Sequence, residues 1–219
     1  LAHSIGALLV VDNSLLSPVG SQPLKHGADI SVSSATKAID GHGRVMGGVL
    51  AGSEELMTQV AVYCNSCGLA MSPFNAWQLL SGVETLSLRM EKQFDNALKI
   101  AQWLRTQPQV QAVYYTGLPD HPQAELIRKQ QNGGGIVIGF EVADTDAAWK
   151  VVDSVELFSR TANLGDVRST ITHPWTTTHG RMQPEEKLAA NIRPGLVRLS
   201  VGLEYVDDLI DDLKQALAR

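Results

Sequence analysis

Residues 28–33, Ala-Asp-Ile-Ser-Val-Ser, alternate apolar and polar side chains and run into Ser34-Ala35-Thr36-Lys37. Alternation with period two marks a strand with one buried face. The next residues, Ile39-Asp40-Gly41-His42-Gly43-Arg44, are too rich in glycine to continue a regular element. Lys37 therefore sits just past a strand end, between hydroxyls and a flexible loop. A second apolar run, Leu8-Leu9-Val10-Val11, ends in Asp12-Asn13. Two strands joined through a short helical stretch that stops at Gly27 call for an α/β arrangement. In such a sheet, ligands bind outside the carboxyl ends of the strands.

A lysine held there can form a Schiff base with a carbonyl, and desolvation favours the neutral, nucleophilic amine. Ser34 and Thr36 offer hydroxyls on the same turn, suited to a phosphate. Asp12 is an acid at a strand end, one helix and one strand before the lysine. That pairing suits pyridoxal 5′-phosphate (PLP), whose pyridine nitrogen must stay protonated for the ring to act as an electron sink. Spacing alone leaves a plainer alternative open: a solvated Ser-x-Thr-Lys turn, and an aspartate that only caps its own loop. Arg198 interrupts the apolar alternation of 196–201, so it faces either solvent or a cleft. Arginine is well suited to bidentate carboxylate recognition.

Val10-Val11-Asp12-Asn13, Gly27-Ala28-Asp29-Ile30, Ser34-Ala35-Thr36-Lys37 and Gly47-Gly48-Val49 follow in this order. Together they resemble the core of the cysteine/methionine-metabolism PLP enzymes. That family includes cystathionine γ-synthase, methionine γ-lyase and the homoserine-ester sulfhydrylases. The resemblance continues through Ser72-Pro73-Phe74-Asn75-Ala76-Trp77, Gly82-Val83-Glu84-Thr85-Leu86, His173-Pro174 and Arg198-Leu199-Ser200-Val201-Gly202-Leu203-Glu204, so it covers nearly the whole chain. Within the family, Ile39-Asp40-Gly41-His42-Gly43-Arg44 and Thr161-Ala162-Asn163-Leu164-Gly165-Asp166 are most similar to the O-succinylhomoserine sulfhydrylases.

The resemblance implies a fold. Residues 1–90 would be the C-terminal part of an aspartate-aminotransferase-like, PLP-binding large domain. Residues 91–219 would be a small α/β domain with a partly antiparallel sheet. It also implies roles. Lys37 would be the catalytic residue that holds PLP, Asp12 would stabilise the protonated pyridine, and Ser34 and Thr36 would bind the phosphate. Arg198 would hold the substrate α-carboxylate, with Asn163 beside it where several relatives carry serine. The implied reaction joins O-succinylhomoserine and sulfide into homocysteine and succinate. Cystathionine γ-synthase, O-acetylhomoserine sulfhydrylase and methionine γ-lyase are its alternatives. A cytoplasmic homotetramer is implied as well. The chain opens Leu1-Ala2-His3 without an initiator methionine and runs directly into a strand. It is therefore expected to be the C-terminal portion of a longer enzyme, with a catalytically silent assembly domain as the reading from another class.

Composition sets limits. Lys and Arg number 18 against 23 Asp and Glu, a formal net charge of −5, with no basic block. That argues against nucleic acid as a partner, because phosphate contacts need clustered cations. No apolar run approaches the roughly 20 residues that span a bilayer, and no signal peptide is evident. Cys64 and Cys67 form a Cys-x-x-Cys with no second pair and no histidine at finger spacing, so no metal is expected. They read as free loop cysteines, with thiol redox exchange as the alternative. Gly133-Gly134-Gly135 is followed by Ile136-Val137 rather than by Lys-Ser/Thr, so it reads as a turn into a strand. His173 and His179 read as parts of an irregular loop.

Strands are predicted at 8–11, 28–33, 47–51, 110–115, 135–142, 157–162 and 196–201. Helices are predicted at 21–26, 53–60, 121–130, 144–154, 185–191 and 206–217. From Ser72-Pro73 a long helical pattern runs to about Arg105, as one bent helix or two in tandem, with Gly82 as a kink or a point of close packing. The change of domain falls within that pattern.

Overall fold

A computed structural model describes residues 1–219. The chain opens with β1 (Val10–Asp12) and a single turn of helix, α1 (Ser17–Gly20). β2 (Ile30–Ser34) runs into one π-helical turn, Ala35–Ile39, and β3 (Gly48–Gly52) returns antiparallel to β2. β1 pairs parallel with β2, so the first sheet has the order β1-β2-β3. Parallel β1 and β2 bring Asp12 and the end of β2 to the same edge, because Asp12 stands opposite Val32.

α2 (Glu54–Ser66) opens on Ser53, whose hydroxyl accepts from Leu56 N–H, with Glu54 and Glu55 in the first turn, where the helix dipole favours acids. α3 (Pro73–Glu84) opens the same way on Ser72, and α4 (Leu86–Leu104) follows. The long helical pattern is thus two helices in tandem. Their break lies at Thr85, which leaves helical geometry at φ −111° and ψ 7°. Gly82 is instead the point of close packing: a Cβ there would collide with the carbonyl oxygen of Ile39.

The second sheet contains β4 (Ala112–Tyr114), then, after α5 (Ala124–Gln130), β5 (Val137–Glu141). After α6 (Thr145–Ser154) come β6 (Ser159–Arg160) and β7 (Thr170–Thr172). α7 (Pro184–Ala189), β8 (Leu196–Ser200) and α8 (Val206–Leu217) complete the chain. The strand order is β4-β5-β8-β7-β6, antiparallel except for the β6–β7 pair. The partly antiparallel sheet expected from the sequence is present.

Two apolar cores fill the molecule. Ala35, Ala38, Leu79, Leu86, Met90, Phe94 and Ile136 belong to the smaller one, under the first sheet's lysine turn. Ala97, Ile100, Ala101 and Leu104 join Ile138, Phe140, Val197, Leu199, Leu209 and Leu213 in the larger. Helix α4 therefore passes from one core into the other between Phe94 and Ala97. Burial of this kind contributes about 25 cal/mol per Å² of apolar surface, which makes the larger core the main source of cohesion for the second sheet.

Some sequence expectations are corrected. α2 runs past residue 60 to Ser66, so Cys64 lies in its last turn and Cys67 caps it; neither is a loop cysteine, and both are free thiols. The strand expected at 157–162 shrinks to Ser159–Arg160, and β7 was not anticipated. Gly135, at φ +79°, makes the turn into β5 that the triple glycine suggested. No helix is long and apolar enough to cross a membrane.

Candidate active site

The lysine turn is built where β2 runs out of partners. Ala35 N–H and Thr36 N–H both donate to Gly47 O, at 2.9 and 3.3 Å, and pin the turn to the start of β3. Asp40 N–H then reaches back to Ala35 O at 2.9 Å, a bond of π-helical span, and Gly41 N–H reaches Lys37 O at 2.8 Å. Inside this turn Lys37 itself is non-helical, at φ −88° and ψ −124°. The departure swings its side chain off the helical path and across to a distant segment. There Lys37 Nζ donates to Asn163 Oδ1 at 3.0 Å.

Asp12 closes β1. Its carboxylate accepts from Ser14 N–H at 2.9 Å, an Asx turn. The Ser14 side chain first, and then its N–H, hold the Asp12 carboxyl below the usual carboxylate range. Asn13 is buried and donates to Ser17 O and Ser21 O at 3.0 and 2.8 Å, which fixes the chain leaving the strand. Ser14 Oγ accepts from Ser34 N–H at 2.7 Å. Ser14 thereby joins the acid's turn to the lysine's strand, a link that sequence reasoning missed.

Asp12, Ser14, Ser34 and Lys37 line one open cleft of about 750 Å³, together with Leu16, Thr116, Gly134, Gly135, Ile136 and Leu164. The acid and the amine predicted for a cofactor thus share a cavity. Thr36 stands apart: its hydroxyl accepts from Gly47 N–H at 3.1 Å and does not line the cleft. A second groove, of about 690 Å³, follows β4 past Arg105, Tyr114 and Asp120, and none of the predicted site residues lines it.

Arg198 lies in β8 between Val197 and Leu199, both fully buried in the large core, so its side chain leaves by the opposite face. Its register neighbours there are Gly139 and Thr172. Arg198 Nη2 donates to Ala162 O at 2.7 Å, while its buried Nε has no partner. Burial lowers its pKa, and no carboxylate offsets that cost. A half-buried guanidinium with spare donors is what a carboxylate ligand would complete.

The Asn163 segment ties these pieces together. Ala162 O holds Arg198, and Asn163 holds Lys37. Gly165, at φ +84°, sits directly on the lysine turn: a Cβ there would lie 2.9 Å from Lys37 Cβ and 3.0 Å from Ala38 N. Gly165 N–H donates to Ser200 Oγ at 3.0 Å, so the segment is also fixed to the end of β8. Neither Asn163 nor Arg198 lines the cleft: Asn163 is joined to it through Lys37, and Arg198 is bonded to Ala162, the residue before Asn163. No group of metal-ligating side chains occurs in the chain.

The family model described as Cys/Met metabolism PLP-dependent enzyme matches residues 1–218. The chain is 51% identical over its full length to O-succinylhomoserine sulfhydrylase of Pseudomonas aeruginosa, of which it covers 54%. It is 45% identical to the chloroplastic cystathionine beta-lyase of Arabidopsis thaliana, over 97% of this chain and 46% of that protein. Among solved structures, cystathione gamma lyase (CalE6) from Micromonospora echinospora superposes with a TM-score of 0.96 at 38% identity, over 100% of this chain and 58% of that one. The chain spans about half the length of the curated relatives it matches.

Proposed function

The chain belongs to the Cys/Met metabolism PLP-dependent enzymes, and from that premise we propose that it serves γ-replacement on O-succinylhomoserine. Sulfide takes the place of succinate and homocysteine results. The observation that carries this reading is the sharing of one cleft by Lys37 and Asp12. The 51% identity to an O-succinylhomoserine sulfhydrylase supports the choice of substrate.

The residues present fit PLP. An amine for its aldehyde, an acid for its pyridine nitrogen, and the hydroxyls of Ser14 and Ser34 all line a cavity of about 750 Å³. When bound, PLP supplies an electron sink for charge developed at substrate carbons.

Lys37 holds the cofactor, and its amine, once free, takes the proton from the substrate Cα as general base. Asn163 Oδ1 holds that amine beside the cleft. Asp12, ionised at neutral pH, keeps a proton on the pyridine nitrogen. Ser34 and Thr36 serve the phosphate, Ser34 from the cleft wall and Thr36 by shaping the turn against Gly47. Arg198 binds the α-carboxylate and so fixes which substrate bonds face Lys37. The freed Lys37 amine also takes a proton from Cβ; the Cγ–O bond then breaks, succinate leaving with its bonding pair as a Cβ–Cγ double bond forms, and hydrosulfide adds at Cγ while protons return to Cβ and Cα. On this reading residues 1–90 carry the cofactor side and residues 91–219 the carboxylate side. The assembled enzyme is a cytoplasmic homotetramer.

The test is a visible absorption spectrum of the full-length protein with PLP beside Lys37→Ala, followed by sulfide-dependent homocysteine formation from the succinyl and acetyl esters. A band in the parent that the variant lacks, with preference for the succinyl ester, supports the proposal. Equal bands, or none, overturn it. A second reading is favoured by the similarity to a cystathionine beta-lyase: elimination without sulfide, read as ammonia and keto acid release.

A further inference from the structure

Arg89 is the most enclosed arginine of the chain, with 5% of its surface exposed. Its guanidinium forms no ion pair. It donates instead to backbone: Nη1 to Ala38 O at 2.8 Å, Nη2 to Ile39 O at 3.1 Å and to Gly82 O at 2.7 Å. Nε reaches Thr85 Oγ1 at 3.1 Å. Ala38 and Ile39 are the two residues that follow Lys37. Their carbonyls end a helical turn, where the intrahelical ladder supplies no donors. The planar fork of arginine supplies them at fixed spacing, as a lysine's single ammonium cannot.

Two glycines make room for this fork. Gly41, at φ +67°, would drive a Cβ into Arg89 Nη1, and Gly82 would drive one into Ile39 O. Arg89 also heads a polar stripe on the buried face of α4. Gln93, one turn on, donates to Asp166 O and Val201 O; Asn96 donates to Gly202 O and Glu204 O. Gln93 and Asn96 share the loop that leaves β8, and Gln93 also reaches the segment at Asp166. Only Arg89 holds the loop of Lys37.

We infer that Arg89 is a positioning residue for Lys37: by clamping the carbonyls of Ala38 and Ile39, it fixes the π-helical turn that sends the Lys37 amine into the cleft. The inference rests on the reading of Lys37 as the residue that holds PLP. Arg89 lies outside the cleft wall and acts only through the backbone.

The test compares Arg89→Met and Arg89→Lys with Asn96→Ala in the full-length protein. Asn96→Ala removes hydrogen bonds from the same stripe about 10 Å further along the helix. The first readout is amide hydrogen exchange in the PLP-free protein, at Asp40 and Gly41, whose N–H groups close the turn. The second is the rate at which added PLP generates the Lys37-dependent visible band. Arg89→Met is expected to speed exchange at Asp40 and Gly41, and to slow capture of PLP, by about tenfold each relative to Asn96→Ala. Arg89→Lys is expected to fall between parent and Arg89→Met. If Arg89→Met does not fold, Arg89→Lys carries the comparison with the same expected direction. Equal effects of the Arg89 and Asn96 variants on both readouts would overturn the inference, since that is how a general loss of stability behaves. A parent without a Lys37-dependent band would overturn the reading of Lys37 itself. The two failures are distinguishable because amide exchange involves no cofactor.

Discussion

Lys37 Nζ donates to Asn163 Oδ1 across 3.0 Å, although the two residues are 126 positions apart. The bond joins the first sheet's lysine turn to the segment between β6 and β7. It gives the amine its one side-chain partner in the protein. Replacing Asn163 with alanine frees the amine to sample other rotamers, and an intramolecular hydrogen bond contributes up to about 1.5 kcal/mol. Asn163→Ala is therefore expected to lower kcat/KM about tenfold while leaving the thermal unfolding midpoint near that of the parent. Steady-state kinetics and a melting curve check both. A parent-like kcat/KM would show that Lys37 needs no partner there.

Arg198 gives the opposite balance between stability and function. Burial without a carboxylate costs free energy, and its buried Nε has no partner. Arg198→Met removes that cost while preserving bulk, so its melting midpoint should be equal to or higher than the parent's. Its KM for the amino-acid substrate should rise on the order of 100-fold, the size of a lost bidentate carboxylate contact. Arg198→Lys should recover only part of this, because one ammonium does not reproduce the fork. A melting midpoint that falls with Arg198→Met would instead assign the arginine to folding.

Gly165 tests how closely the Asn163 segment must approach the lysine turn. An added Cβ meets backbone atoms of Lys37 and Ala38, which cannot rotate away, and the residue sits at φ +84°. Left-handed geometry costs a non-glycine residue about 1–2 kcal/mol, and overpacking about 1–3 kcal/mol more. Gly165→Ala is expected to lose about 2–5 kcal/mol by urea unfolding. It should also weaken PLP capture, because the displaced partner is Lys37 itself. Gly68, at φ +69° with open space around it, is the control, and alanine there should show the backbone cost alone.

The legible parts of this chain were those with strong local pattern. β2 alternates, Ser53 and Ser72 announce helices, and the lysine follows a strand end. What escaped the sequence is what long-range packing decides. β7 is three buried residues, Thr170–Thr172, too short to alternate visibly, and it is a strand because β8 and β6 flank it. α2 continues through the β-branched and aromatic stretch at 60–63 against local propensity. Thr36 looks equivalent to Ser34 in sequence, yet only Ser34 faces the cleft, because Gly47 engages the Thr36 hydroxyl. Arg89 did carry a signal. Arg89, Gln93 and Asn96 recur at helical spacing beside Leu86, Met90, Phe94 and Ala97, so a polar stripe lies next to an apolar one. That pattern is ambiguous in sequence, since a solvated face looks the same until the loops that cover it are known.

His173 supplies a pH test away from the cleft. Its ring is fully buried, edge-on to Trp149 at 5.5 Å, with Nε2 2.7 Å from Pro194 O and Nδ1 2.9 Å from Thr176 Oγ1. A carbonyl only accepts, so Nε2 carries the proton and Nδ1 accepts from the Thr176 hydroxyl in the neutral ring. Burial pushes the pKa of His173 down, against a smaller opposing pull from the Pro194 carbonyl. The unfolded chain, with a histidine pKa near 6.5, therefore binds the proton more tightly than the folded one. Stability from this group is complete above about pH 6.5 and is lost as pH falls towards the lower folded-state value, with a limiting slope of about 1.4 kcal/mol per pH unit. Urea unfolding at a series of pH values between about 7.5 and 5 should show that decline in the parent. His173→Gln keeps an N–H for Pro194 O but does not titrate. It should start less stable at the alkaline end and lose less on acidification, so the two curves converge. Parallel curves would mean that the buried ring takes up its proton in the folded state as readily as in the unfolded chain.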